Sequence, residues 1–177
     1  MDAQRALLRH FLAAIAYRTQ KTLRSARDDF GDFRAGANAR TPHELIWHMT
    51  GLIGYARTVF MGGVWRPDRL PAFGDEIRRF HEVLEDLAKL LEKDIPLRGV
   101  STEQLLQGPL SDAMTHVGQL AMLRRLAGSP IPLENFMRAK IEGSNLSPHQ
   151  PPPAAPDPGW DPDLPPPAPG KGLPDDW

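Results

Sequence analysis

Apolar residues recur along this chain at intervals of three and four, a spacing that lays out helices over most of its length. In residues 2 to about 29 the stripe is Leu8, Phe11, Leu12, Ile15, Thr19, Thr22, Leu23 and Ala26. Between these positions Arg5, Arg9, Arg18, Lys21, Arg24 and Arg27 form a basic face expected to be solvated. The small residues of 30–40 make a connection. The second helix opens at Thr41-Pro42-His43-Glu44, with a threonine cap, proline at the first helical position and a glutamate three residues after the cap. That is a capping box, and it leaves His43 in an exposed turn. The stripe that follows, Leu45, His48, Leu52, Tyr55 and Val59, turns the His48 imidazole inward, and Gly62-Gly63 closes the helix.

A third helix over about 74–94 faces Ile77, Phe80, His81, Leu84, Leu87, Ala88 and Leu91 inward, with charges of both signs on its other side. Ser101–Gln104 starts a short turn that Gly108-Pro109 interrupts, and Pro109 suits the first position of a fourth helix reaching Ala127, with Gly128 at its stop. No alternating stretch or hairpin dipeptide signals a strand. The pattern therefore predicts an all-α fold, an antiparallel four-helix bundle. The bundle domain takes residues 1–147, including a segment at 129–147 with room for one more short helical piece in Pro132–Gly143. Residues 148–177 are Pro-rich and form either a disordered tail or an extended arm anchored by Trp160 and Trp177 over the bundle or a neighbouring subunit.

Composition narrows the function classes. The formal charge of −1 gives no electrostatic footprint for nucleic acid. No run approaches the roughly 20 apolar residues of a membrane span, and basic residues interrupt the apolar N-terminal stretch, which reads as a helix and not as a signal peptide. A cytoplasmic location is the expectation. Without cysteine there is no disulfide, no thiolate zinc site and no thiol nucleophile in the chain itself.

The chemistry concentrates in SDAMTHVGQLAMLRRLAG, residues 111–128. Asp112, His116 and Gln119 stand at offsets of four and three, on one helical face that the pattern makes largely buried. Buried polar groups need hydrogen bonds or a metal ion. An acid and a histidine one turn apart can share an ion, and a facing His48 would complete a set of two histidines and one carboxylate with open positions. Each residue also has an ordinary reading. His48 suits a hydrogen-bonded core histidine, Asp112 a carboxylate complementing a helix start, and His116 a donor to a backbone carbonyl. Gln119 suits either a residue orienting a metal-bound histidine or a helix–helix hydrogen bond. His81 is a possible further polar participant, and His149 could close over the pocket.

The phrases RTPHELIWHMTGLIGYARTVF and PLSDAMTHVGQLAMLRRLAGSP together resemble the DinB/YfiT-like four-helix-bundle superfamily. The first matches its helix-two pattern, with His48 as the histidine; the second matches its helix-four pattern through His116-Val117-Gly118-Gln119-Leu120. The segment SPIPLENFMRAKIEGSNLSPHQPPP is similar to a C-terminal extension in a bacterial branch, and the resemblance covers about residues 1–155. It implies a divalent metal held by three side chains, commonly three histidines, two of them from helix four. This chain departs at the first helix-four position, where Asp112 stands, so the implied ligands are His48, Asp112 and His116, with Gln119 in support. Zinc, nickel, iron and manganese all accept that set. Relatives include transferases and isomerases dependent on low-molecular-weight thiols such as mycothiol or bacillithiol. The resemblance therefore implies a homodimeric metal-dependent transferase or hydrolase, acting on a small molecule with a thiol cosubstrate or water. The other reading is a metal-free bundle that binds a small molecule or protein without catalysis, with Asp112 too far from the two histidines to share an ion.

Overall fold

The computed structural model describes residues 2–93 and 95–154; Trp160 and Trp177 lie outside them. Among the described residues the fold is all-helical, with no strand and no helix long and apolar enough to cross a membrane. Four long helices carry it: α1 (Ala3–Leu23), α2 (Pro42–Met61), α3 (Phe73–Glu92) and α5 (Ser111–Leu126). A short α4 (Thr102–Leu105) leads through a wide turn at Leu106–Leu110 directly into α5. Both α1 and α2 pack against α3 and α5, so the four helices enclose one core. Leu12, Ile15, Ile46, Met49, Ile53, Leu84, Leu87, Leu91, Ala113 and Leu120 fill it.

The sequence signals for helix ends act as expected at α2. The Glu44 N–H donates to Thr41 Oγ1 at 3.2 Å, and the Thr41 N–H donates to Glu44 Oε2 at 2.8 Å. At the other end Gly62 adopts a φ of 78° and its N–H returns to the Thr58 carbonyl at 2.7 Å. The first helix stops at Leu23, short of the expected 29. Ser25 turns left-handed at φ 53°, and the buried Arg124 guanidinium donates to the Thr22, Arg24 and Ser25 carbonyls, so a side chain from α5 satisfies the acceptors left open. The expected break at Gly108-Pro109 is present: Gly108 is non-helical (φ −86°, ψ −106°), Pro109 follows it at the start of the last helical stretch, and the regular α-helix runs from Ser111.

Three expectations about burial are overturned. α2 is rotated from its expected setting: Ile46, Met49, Ile53, Ala56 and Phe60 are buried, His48 and Leu52 sit half-buried on the flank, and Tyr55 is exposed. The buried Glu76 carboxylate helps fix this setting, accepting from Thr50 Oγ1 of α2 at 2.9 Å and from the Leu70 N–H at 3.0 Å. His43 is buried against Phe73, since the chain at 30–31 and the start of α3 close over the capping turn. The basic face of α1 is largely engaged. Lys21 is buried with its ammonium 3.0 Å from Glu134, Arg18 lies 3.8 Å over the Phe136 ring, and Arg5 donates to the Lys93 and Ile95 carbonyls.

The partners of Lys21 and Arg18 come from the segment after α5, which forms no helix. Its prolines remove backbone donors at 130 and 132, and side-chain anchors hold it along the bundle. Glu134 also accepts from the Tyr17 hydroxyl at 2.7 Å. Burial, and then that carboxylate, hold the Tyr17 phenol in its protonated, donating form, pushing its pKa upward. Further on, the buried His81 meets the Leu146 carbonyl at 2.6 Å through Nδ1 and the Gln20 amide at 3.0 Å through Nε2. A neutral ring donating from Nδ1 and accepting at Nε2 satisfies both contacts. Arg24 donates to the Gln150 and Pro151 carbonyls, both at 2.8 Å, which ties residues 150–151 to the end of α1.

Two stability predictions follow from these anchors. Removing one partner of the buried pair, as in Glu134→Ala, is expected to destabilise the fold by about 3–5 kcal/mol in urea unfolding. The apolar double replacement Lys21→Met, Glu134→Leu is expected to restore most of it; equal losses in both proteins would contradict the assignment. For His81, burial drops the pKa from 6.5 to about 4, with His149 adding to the fall and the Leu146 carbonyl opposing it. The unfolded chain therefore binds more protons between about pH 6.5 and pH 4, and this contribution, complete above pH 6.5, is lost as pH falls through that window. The expected size is of the order of 3 kcal/mol, absent in His81→Gln. Parallel pH–stability curves for the two proteins would refute it.

Candidate metal centre

Packing of α2 on α5 brings His48, from the middle of α2, to Asp112 and His116, which are one turn apart on α5. One donor atom from each residue lies within 4.8 Å of the other two. Asp112 bridges the histidines: Oδ1 is 3.2 Å from His116 Nε2, and Oδ2 is 3.9 Å from His48 Nε2. The rings meet edge to face with centroids 4.7 Å apart. Side-chain exposure is 10% for His116, 33% for His48 and 46% for Asp112, so the group has a buried end and an open face.

Both ring nitrogens of His116 face oxygen. Nδ1 lies 2.8 Å from Gln119 Oε1, and Nε2 faces the Asp112 carboxylate. A neutral imidazole has one N–H to give, so one nitrogen must present a lone pair to an acceptor. A cation shared by Nε2 and the carboxylate resolves this, with Nδ1–H donated to Gln119, and so does an imidazolium donating from both sides. The third solution turns the Gln119 amide over, making it the donor to Nδ1 and freeing Nε2–H for Asp112. Gln119 is itself exposed, so its carbonyl orients the ring without burying another polar group.

Asp112 keeps its place near a helix start while also facing the two histidines. Leu110 and Ser111 are already right-handed helical, and the Ser111 N–H bonds to the Leu106 and Gly108 carbonyls. Gly108 is non-helical, however, so the stretch that becomes α5 begins at this kink and Asp112 stands in its first turn, where a carboxylate complements the helix dipole. The contacts of Asp112 are with the two histidines.

The donor set suits a divalent ion of borderline softness. Two imidazoles and a carboxylate fit zinc, iron, manganese or nickel, and bonds of about 2.0–2.2 Å place tetrahedral donors about 3.3–3.6 Å apart. The His116–Asp112 separation already falls near that range, whereas His48 has to approach by a fraction of an ångström to about 1 Å through side-chain rotation. His48 is also a poorer base than usual. Burial lowers its pKa from the ordinary 6.5, the Arg40 and His116 charges add to the fall, and Asp112 opposes it. It is therefore neutral at pH 7, with its lone pair available.

The other polar candidates lie elsewhere. His81 is enclosed by α1 and the C-terminal segment, and His149 is exposed beyond it, outside the group of donors. A groove of about 410 Å³ between α1 and α5, roofed by residues 131–136, contains none of the three donors. Two clefts do reach His48. One, of about 520 Å³, runs between Trp47, Gly51, Tyr55 and the loop carrying Trp65. The other, of about 340 Å³, is lined by Arg34, Asn38, Arg40 and Glu44. Sequence reasoning passed over Trp47, Gly51 and Arg40; the spacing of four through Trp47, Gly51 and Tyr55 was the available signal, a second face of α2 with a gap at its centre. No family model, curated protein or solved structure matches the chain.

The tautomer of His116 is directly measurable. In zinc-titrated protein at pH 7, long-range ¹H–¹⁵N spectra are expected to show the proton on Nδ1, with the Gln119→Ala protein losing zinc affinity by about 10–100-fold. A ring carrying its proton on Nε2 regardless of zinc would assign these contacts to the metal-free network.

Proposed function

We propose that the chain is a divalent-metal-dependent enzyme of the DinB/YfiT-like type, an antiparallel four-helix bundle working as a homodimer on a small molecule by transferase or hydrolase chemistry. The observation that carries this reading is the meeting of His48, Asp112 and His116 at a partly open face, one donor atom of each within 4.8 Å of the others. The resemblance of the two helix phrases supports it independently. His48, Asp112 and His116 would hold the ion, and Gln119 would keep the His116 ring turned with Nε2 toward it. A divalent ion bound there supplies Lewis acidity, lowering the pKa of a thiol or water that enters its open face.

The chain's own residues set the conditions for that chemistry. His48, less basic than an ordinary histidine, loses less of its lone pair to protonation as pH falls. Asp112 contributes the one negative charge of the donor set, partly offsetting a dication in a half-open site. Because the chain has no cysteine, a thiol reaction requires a cosubstrate, and the exposure of Asp112 and His48 leaves room for one to approach. The edge-to-face contact of the two rings favours a second reading, a metal-free binding bundle in which aromatic and hydrogen-bond contacts alone hold the group together.

Elemental analysis of untagged protein, offered zinc, manganese or nickel and then dialysed, separates the two. About one equivalent per chain is expected, lost in His116→Ala and reduced in Asp112→Asn. Less than a tenth of an equivalent of every metal, in the wild type and both variants alike, would leave only the binding-module reading.

A further inference from the structure

The two clefts that meet at His48 differ sharply in chemistry. The larger is aromatic: Trp47 and Tyr55 rise from α2, and Trp65 stands across from them on the loop after the helix. That loop is fixed in place. Trp65 packs so closely on Gly54 that a Cβ there would come within 2.0 Å of its indole nitrogen, and the Arg57 guanidinium lies 5.0 Å from the Trp65 ring centre. The Trp47 indole N–H donates to the Pro67 carbonyl at 3.0 Å, and Arg79 of α3 donates to the Asp68 carbonyl at 2.9 Å. A cleft wall held at these points exists before any ligand arrives.

Its floor is Gly51. Both Gly51 and Gly54 have a negative φ, but unlike Gly54 this glycine has no neighbour within 4 Å of the place a Cβ would occupy, so nothing in the fold requires it. A glycine inside a helix weakens it relative to alanine. What Gly51 does supply is depth between the aromatic side chains.

The smaller cleft is cationic at its open end. Glu44 pairs with Arg34 at 3.4 Å and with Arg69 at 3.7 Å, its single negative charge offsetting one of their two positive ones. Arg40 forms no ion pair among the described residues and is exposed on the same rim. Trp47 and His48 line both clefts, so a single molecule can occupy the two and cross the open side of His48.

We propose that the substrate of the metal centre is an aryl-substituted carboxylate, its ring seated over Gly51 between Trp47, Tyr55 and Trp65 and its carboxylate at Arg40. This assignment rests on the metal-enzyme reading for its reactivity, whereas recognition by the two clefts is a property of the chain with or without the ion. Ring stacking on two indoles selects for a planar face, and a guanidinium selects for a carboxylate over its neutral amide. The bonds between ring and carboxylate are the part of the molecule presented to His48.

Calorimetric titration of the full-length protein, metal-free and zinc-loaded, with 3-phenylpropanoate, 3-phenylpropanamide and hexanoate tests this. The aromatic acid is expected to bind at least fivefold more tightly than either comparison compound in both forms. Gly51→Leu, whose Cβ meets no neighbour within 4 Å, is expected to abolish the preference over hexanoate with zinc loading and thermal midpoint retained. Arg40→Gln is expected to abolish the preference over the amide alone. Affinities within twofold across the three ligands, or preferences untouched by both variants, would overturn the proposal. So would an acid preference that appears only with zinc and survives Arg40→Gln, since the ion and not Arg40 would then hold the carboxylate. Failure of zinc to load, with the ligand preferences intact in the metal-free protein, would count against the metal-enzyme reading and support the two-cleft assignment.

Discussion

The rotational setting of α2 about its own axis is the constraint on which the site depends. This helix carries apolar residues around most of its circumference, so two stripes compete for the core: Leu45, His48, Leu52, Tyr55 and Val59, or Ile46, Met49, Ile53, Ala56 and Phe60. Both follow helical spacing. The second buries, with Leu45 and Val59 at its edge. Two features favour it. Thr50 falls on the inner side, where the buried Glu76 carboxylate accepts its hydroxyl proton, and Gly54 faces Trp65, where no larger residue fits. A turn of α2 toward the other setting would break the Thr50–Glu76 bond, put the Tyr55 hydroxyl among aliphatic side chains and remove His48 from solvent. In the observed setting His48 sits where one edge of its ring reaches α5 and the other meets two clefts.

Legibility from sequence follows the range of the interactions involved. Helix boundaries governed by local chemistry, such as the Thr41 capping box and the Gly62 stop, were readable because every participant lies within a few residues. The end of α1 was not, because it is set by Arg124, about a hundred residues away. The basic face of α1 shows the same limit. Charges at helical spacing on an amphipathic helix ordinarily face water, and Lys21 alone carries nothing to say that Glu134 will bury it. His43 likewise reads as part of an exposed first turn until the chain at 30–31 and Phe73 close over it.

Within the candidate site, proximity on one helix was legible and proximity between helices was only conditionally so. Asp112, His116 and Gln119 share a face by helical arithmetic alone, and the His116–Gln119 contact follows from an offset of three. The meeting with His48 required α2 and α5 to be neighbours, which spacing does not establish. The aromatic cleft was hidden for a different reason. Tyr55 was assigned to the core, which removed one of its walls, and Trp65 stands on a loop whose course depends on Glu76, Arg79 and Trp47 together.

The wide turn at Leu106–Leu110 decides how Asp112 is to be understood. The non-helical Gly108 breaks the chain just before Pro109, so the stretch that becomes α5 starts there and its dipole accounts for part of the preference for an aspartate in the first turn. Within that first turn the Ser111 N–H is already bonded backward, to the Leu106 and Gly108 carbonyls. The same carboxylate stands between two imidazoles, one of which has its second nitrogen beside Gln119. Three groups with lone pairs directed at one another repel unless a proton or a cation lies among them. His48, made less basic by burial and by Arg40, is a weak candidate for that proton at neutral pH. A neutral His48 still has one N–H, which can point from Nε2 toward Asp112, so a shared cation or the N–H groups of the two imidazoles can each keep these three side chains together at the surface of the bundle.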